Sequence, residues 1–297
     1  MKSKEKPNII KTKTVLIFGA YGLLGSDLSE VFSNKWEVRR LRHEDVDITD
    51  ENAVANVIEK HHPGLIINAA AYNKVEELGG TLDLSYRVNA LGPFYIAKAA
   101  NSLNIPFVHI STNYVFDGSK DIYFEDDQPN PLNLYGASKL AGEQLVKIAA
   151  KQYYIVRTSA LFGSKKSTKG SDFITKMIEL SSKSEPIKVV DDQIVSPTAS
   201  HELAQKIYEM IDKSPSFGIY HITNSGSASW FEFAREIFTI KGIRANLTAI
   251  STTESGTKIE RPKKCALGSV KLAKAGIVPL PSWQDALRRH LNLIEQK

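Results

Sequence analysis

Short apolar runs alternate along the first half of this chain with segments whose apolar positions recur at helical spacing. Thr14–Phe18 predicts a buried strand, and after a glycine-rich turn the helical pattern runs to about Phe32. Trp36–Leu41 predicts a second strand and Asn52–His61 a helix, which Pro63 and Gly64 punctuate before a third strand at Leu65–Asn68. A long helical pattern covers Asp83–Leu103, followed by strand Pro106–Ser111, helix Gly136–Gln152 and strand Tyr154–Thr158. Strand followed repeatedly by helix predicts an α/β fold with a doubly wound, mainly parallel sheet, where ligands collect at the carboxyl ends of the strands.

Beyond Ser159 the rhythm breaks. A Lys/Ser/Gly-rich loop, Gly163–Gly170, precedes a helix near Phe173–Ser182, and short strands at Ile187–Val190 and Gly218–Ile222 read as returns to the sheet. Helices at Trp230–Ile240 and Trp283–Ile294 complete a smaller lobe. With 42% hydrophobic residues in 297, the chain can bury an ordinary core, and no apolar run reaches bilayer length, so no membrane role is expected. The opening MKSKEKPNIIKTKT reads as a solvated tail. The lone Cys265 excludes an internal disulfide, has no companions at metal-ligand spacing, and fits a cytoplasmic protein. A net charge of +5 from scattered lysines is too diffuse for nucleic acid, although it would favour a diphosphate.

Four groups of residues carry candidate chemistry. Gly19, Gly22 and Gly25 lie between a strand and a helix, where glycine permits a tight turn and close approach of a diphosphate to free N–H groups. The predicted second strand ends in Arg39, Arg40 and Arg42, with acidic residues only later. Arginine there suits the 2′-phosphate of NADPH, with NADH the alternative. Tyr135 and Lys139 stand four apart on a predicted helix, so phenol and ammonium project from one face, as a general acid and its stabilising cation require. Ser111-Thr112-Asn113-Tyr114 closes the fourth strand, either capping its end or holding a carbonyl oxygen. The chain then divides into a dinucleotide-binding Rossmann domain over 13–160, with sheet returns near 187–222, and a C-terminal α/β substrate lobe of 161–186 and 223–297.

These motifs, with NAAAY (Asn68–Tyr72), VNALGP (Val88–Pro93), STNYVFDG (Ser111–Gly118), PLNLYGASKLAGE (Pro131–Glu143), DDQIVSPT (Asp191–Thr198) and Arg261-Pro262, resemble the extended short-chain dehydrogenase/reductases, and within them the dTDP-4-dehydrorhamnose reductase family. The resemblance implies an NAD(P)H-dependent oxidoreductase acting on a nucleotide-sugar ketone, with Thr112, Tyr135 and Lys139 as catalytic triad. It places Gly22, Leu23 and Leu24 at the cofactor diphosphate, Asp47 and Ile48 at the adenosine end, and Ala69, Ala70 and Ala71 at the middle. It assigns Thr112, Asn113, Tyr114, Ala160 and Arg261 to the substrate and leaves a homodimer and any Mg²⁺ requirement open, while the sequence itself singles out no metal ligands. Asn113, Ala160, Val195 and Cys265 depart from the usual Asp, Trp, Gly and Ser, as does Val75–Gly79 from its usual string, so the substrate wall is altered. The regulatory β subunit of methionine adenosyltransferase is similar to the same family, so a binding protein without turnover stands as the alternative, which the intact triad disfavours.

Overall fold

The computed structural model describes residues 12–73, 82–164, 172–183 and 185–295; most of the N-terminal tail, the Val75–Gly79 stretch and most of the Gly163–Gly170 loop lie outside them. Six parallel strands form the central sheet: β1 (Thr14–Phe18), β2 (Glu37–Leu41), β3 (Leu65–Asn68), β4 (Phe107–Thr112), β5 (Tyr153–Thr158) and β6 (Gly218–His221). Their spatial order is β6-β5-β4-β3-β1-β2. Successive connections therefore reverse direction between β1 and β3, and a crevice opens above that switch point.

Both faces of the sheet are covered, which is why β1 and β3 are almost continuously apolar. On one face α1 (Leu23–Phe32) and a later helix, Ser200–Lys213, pack Leu24, Leu28, Leu203 and Ile207 against Val15, Ile17 and Val156. On the other, α2 (Glu51–His61), α4 (Gly92–Ser102) and α5 (Leu134–Ala149) bring Val54, Ile58, Ile96 and Val146 onto Leu16, Ile66 and Phe107. A third apolar cluster, with Phe162, Ile174, Phe233, Ile237, Trp283 and Leu287, joins the helices Phe173–Ser181, Trp230–Lys241 and Trp283–Glu295. Each such fully buried side chain contributes roughly 1.5–3 kcal/mol.

The sequence pattern meets these elements within a residue or two at most ends, with two differences. Ile187–Val190 does not return to the central sheet: it pairs in parallel with Leu247–Ile250. Its alternate residues Ile187 and Val189 are buried in the third cluster, so its apolar face belongs to the helices there, while β6 already occupies the edge beside β5. The long helix predicted over Asp83–Leu103 is instead α3 (Leu82–Tyr86), a π-turn at Arg87–Leu91, and α4. Pro93 has no N–H to donate to the Asn89 carbonyl, and the Gly92 N–H reaches back five residues to Arg87.

That turn fixes the position of α5. A Cβ at Gly142 would come within 2.1 Å of the Asn89 carbonyl oxygen, and one at Gly136 within 2.1 Å of the Tyr114 carbonyl oxygen. Two glycines therefore let α5 press against both the π-turn and the end of β4. Asn133 caps the helix by accepting from the Gly136 N–H at 2.9 Å. Replacing Gly142 by Ala must push α5 outward, and overpacking of this kind costs about 1–3 kcal/mol. Chemical denaturation of Gly142→Ala checks this, and an unchanged midpoint would contradict the tight approach.

Candidate active site

The glycine loop lies over the crevice. Gly19 has φ +72°, and a Cβ there would meet the Ala70 backbone nitrogen at 2.6 Å; at Gly25 it would meet the Gly19 carbonyl oxygen at 2.0 Å. Neither position admits a side chain, so the loop from β1 and the Ala69–Ala71 segment after β3 lie in contact, with the Ala69 N–H donating to Phe18 O at 3.0 Å. Gly22 precedes α1 without a side-chain cap, leaving the first-turn N–H groups available to an anion. Leu23 is half-buried at this opening, whereas Leu24 points into the core.

At the end of β2 the three arginines separate. Arg39 pairs with Glu37, two residues away on the same face of the strand. Arg40 faces the other way, and its guanidinium and that of Arg42 lie 4.1 and 4.0 Å from the Tyr21 ring centroid. Arg40 and Arg42, not Arg39, therefore form the cationic pair beside the glycine loop. Further along, Asp47 is exposed and its carboxyl is held below the usual range by the Thr49 N–H, at 2.9 Å. Ile48, expected beside a ligand, turns inward and packs under Gly92.

The chemistry-bearing groups converge where α5 meets the end of β4. Tyr135 is half-buried and its phenol lies toward the Thr112 hydroxyl; Tyr114 stacks edge-on against it at 5.7 Å. Burial pushes the phenol up to about 12, and the nearby Thr112 hydroxyl opposes that shift. Lys139, one turn on, is 2% exposed and donates to the Ile110 carbonyl at 2.7 Å. Burial pulls its ammonium down to about 8, with Glu143 opposing. Of the two expected purposes the structure shows the cap: Thr112 Oγ1 accepts from the Tyr114 N–H at 3.2 Å, and it donates to Asn113 Oδ1 at 3.3 Å.

Asn113 does not present its amide to the crevice. It is 4% exposed and its Nδ2 donates to the Cys265 carbonyl at 3.0 Å, while Cys265 Sγ donates back to the Asn113 carbonyl at 2.9 Å. This reciprocal pair fastens the 261–267 segment to the end of β4, and the Asn133 amide adds a bond to Glu260 O at 2.9 Å. Arg261 is thereby carried to the rim beside the first turn of α5. Ala160, half-buried at the end of β5, has φ +42° and accepts from the Thr198 N–H at 3.1 Å, which ties the Asp191–Thr198 string to the same rim.

Asn89 is read in the sequence only as part of the VNALGP string, with no role of its own, yet it organises the site. Its Oδ1 accepts from the Tyr72 N–H at 2.9 Å, and its Nδ2 donates to Tyr72 O at 2.9 Å and to Ser138 Oγ at 3.0 Å. Pro93, four residues later, was the available signal. Among the described residues no cluster of metal-ligating side chains occurs, and no helix is long and apolar enough to cross a membrane.

Residues 13–295 match the model of the RmlD substrate-binding-domain family. The chain belongs to this family. Within it, the chain is 36% identical to the spore coat polysaccharide biosynthesis protein SpsK of Bacillus subtilis, covering 93% of this chain and 96% of that one. It is 35% identical to a dTDP-4-dehydrorhamnose reductase of Aggregatibacter actinomycetemcomitans, covering 92% and 97%. The crystal structure of dTDP-4-dehydrorhamnose reductase from Bacillus anthracis in complex with NADP superposes with TM-score 0.90 at 39% identity, covering 95% and 99%.

In this RmlD family member Cys265 is fully buried, and burial pushes its thiol up to about 12. At pH 8 the thiolate fraction is then about one in ten thousand. A disulfide thiol reagent should leave the native protein unlabelled at pH 8 and label it once in denaturant. Rapid native labelling would show that the Asn113–Cys265 fastening is open.

Proposed function

We propose that this chain is an NADPH-dependent reductase of a nucleotide-linked 4-keto-6-deoxysugar, acting as a dTDP-4-dehydrorhamnose reductase or on a closely related substrate. The observation that carries the reading is the meeting of Tyr135 and Thr112 at the carboxyl end of β4, backed by the buried Lys139 and beside a glycine loop that admits a diphosphate. The loop fits the cofactor: Gly19 and Ala70 leave no room for a side chain, the start of α1 is uncapped, and Arg40 and Arg42 supply the cations that suit a 2′-phosphate. Bound NADPH supplies the hydride that reduces the ketone carbon.

The residues of the chain manage the proton. A ketone oxygen gaining electron density needs a donor, so the phenol of Tyr135 must enter the reaction protonated. Held near 12, it is protonated throughout the neutral range. The phenolate it leaves is stabilised by the Thr112 hydroxyl and by the positive charge of Lys139, and Thr112 also holds the oxygen as it accepts the proton. The segments 161–186 and 223–297 form the substrate lobe in this reading, with Arg261 directed to the nucleotide diphosphate and Tyr114 and Ala160 to the sugar. Ala160 leaves a roomier wall than tryptophan would. The enzyme works in the cytoplasm.

Three measurements test this. Tyr135→Phe removes one oxygen and should lower kcat by about 10²–10⁴ while cofactor binding persists; full turnover of dTDP-4-dehydrorhamnose or of every other nucleotide 4-ketosugar by this variant would refute the donor. If the unaltered chain binds NADPH yet reduces none of these sugars, the regulatory reading takes its place. Lys139 is cationic below about pH 8 and loses its charge above it, so kcat/KM should be level on the acid side and fall as pH rises through about 8. A flat profile to pH 10 would remove Lys139 from the mechanism. Finally, Arg40→Ala/Arg42→Ala should reduce the preference for NADPH over NADH about tenfold to a hundredfold, and Arg39→Ala should not. The reverse outcome would assign the 2′-phosphate to Arg39.

A further inference from the structure

The buried face of α5 meets β4 at three successive turns. Tyr135 lies toward Thr112, Lys139 Nζ donates to Ile110 O, and Ser111 Oγ donates to Glu143 Oε1 at 2.5 Å. Ser111, Arg157 and His221 stand opposite one another across β4, β5 and β6, forming one row on the sheet face that α5 covers. Arg157 grips Glu143 with two bonds, Nε to Oε1 at 2.9 Å and Nη2 to Oε2 at 2.6 Å. Glu143 and Arg157 are 0% and 1% exposed and Lys139, one turn back on α5, is 2% exposed, so a carboxylate paired to one cation stands one helical turn from a second, all shut away from water.

Resting on the reductase reading above, we propose that Glu143 is a positioning residue for the reduction, whose carboxylate keeps the Lys139 ammonium charged and in place behind Tyr135 and locks the donor helix to the sheet. Burial alone drives an ammonium toward its neutral form, and a neighbouring anion opposes this. The other titratable groups facing Lys139 from its surroundings offer no such help. Tyr135 on α5 is a protonated phenol. His109 on β4 is held well below its usual range by burial and by Lys139 itself. Arg157 on β5 is a cation, and His221 on β6 is pulled down to about 4 by burial and Arg157. Glu125, beyond His221, is engaged by the Ser269 hydroxyl and the Val270 and Lys271 N–H groups. Glu143 is thus the anion that answers Lys139, while Ser111 and Arg157 fix where it stands.

The test follows Lys139 directly in the full chain, by carbon-detected titration of lysines labelled at Cε, with Lys139→Arg assigning the resonance. Glu143→Gln alone would strand a buried Arg157 and destabilise the fold, so Glu143→Gln/Arg157→Met removes both charges while keeping an acceptor for Ser111. In that variant the Lys139 midpoint should fall by about one pH unit or more. The alkaline limb of kcat/KM should move with it, leaving activity at pH 6 much closer to that of the unaltered enzyme than activity at pH 8. Glu143→Asp, which keeps the charge, should hold the midpoint near its original position. An unchanged Lys139 midpoint in the double variant would overturn the proposal, as would an equal loss of activity at every pH. The titration needs no turnover, so failure of the reductase reading would show separately, as an unaltered chain that reduces no ketosugar.

Discussion

The site depends on how closely α5 can approach the end of β4. A helix with ordinary side chains at 136 and 142 would stand off the sheet, because the carbonyl oxygens of Tyr114 and Asn89 already occupy the space a Cβ would need. With glycine at both positions the helix settles until Tyr135 reaches the Thr112 hydroxyl and Lys139 reaches the Ile110 carbonyl. The partner surface is shaped for the same approach. Pro93 withholds an N–H from Asn89, the backbone opens into a π-turn, and the Asn89 side chain ties that turn to Tyr72 on one side and Ser138 of α5 on the other.

Electrostatics follow from that packing. Groups pressed between helix and sheet lose water, and their protonation is set by what they touch. The phenol is held protonated and the ammonium is held near the edge of losing its charge, which suits a donor and the cation behind it. The cofactor side uses the opposite tactic. There the backbone is left bare at the switch point between β1 and β3, and the cations Arg40 and Arg42 stand at the rim around Tyr21. In the proposed reading, binding is thus arranged at an open edge and proton transfer at the helix–sheet seam of the same sheet.

Much of this was legible in the sequence, for identifiable reasons. Strands buried on both faces read as continuous apolar runs, so β1 and β3 were placed at their ends. The glycine spacing and the Tyr135/Lys139 interval are local patterns, and local geometry realises them. What the sequence hid depends on tertiary partners. Ile187–Val190 has the pattern of a sheet strand, but the helices of the third cluster claim its apolar side. Strand alternation sends Arg39 to Glu37 and leaves Arg42 beside Arg40, a distinction that adjacent arginines conceal. The family resemblance assigns Asn113 to the substrate, whereas the partner of its amide, Cys265, is 152 residues away and beyond any local pattern.

The central claim is that this seam delivers a proton to a sugar ketone while the bound nucleotide delivers hydride to its carbon. The most direct measurement is transfer from NADPH deuterated at both C4 positions, with dTDP-4-dehydrorhamnose as acceptor and mass and NMR analysis of the product. The account predicts one deuterium at C4 of the sugar for each NADPH oxidised. Oxidation of the nucleotide with no label at that carbon would contradict it.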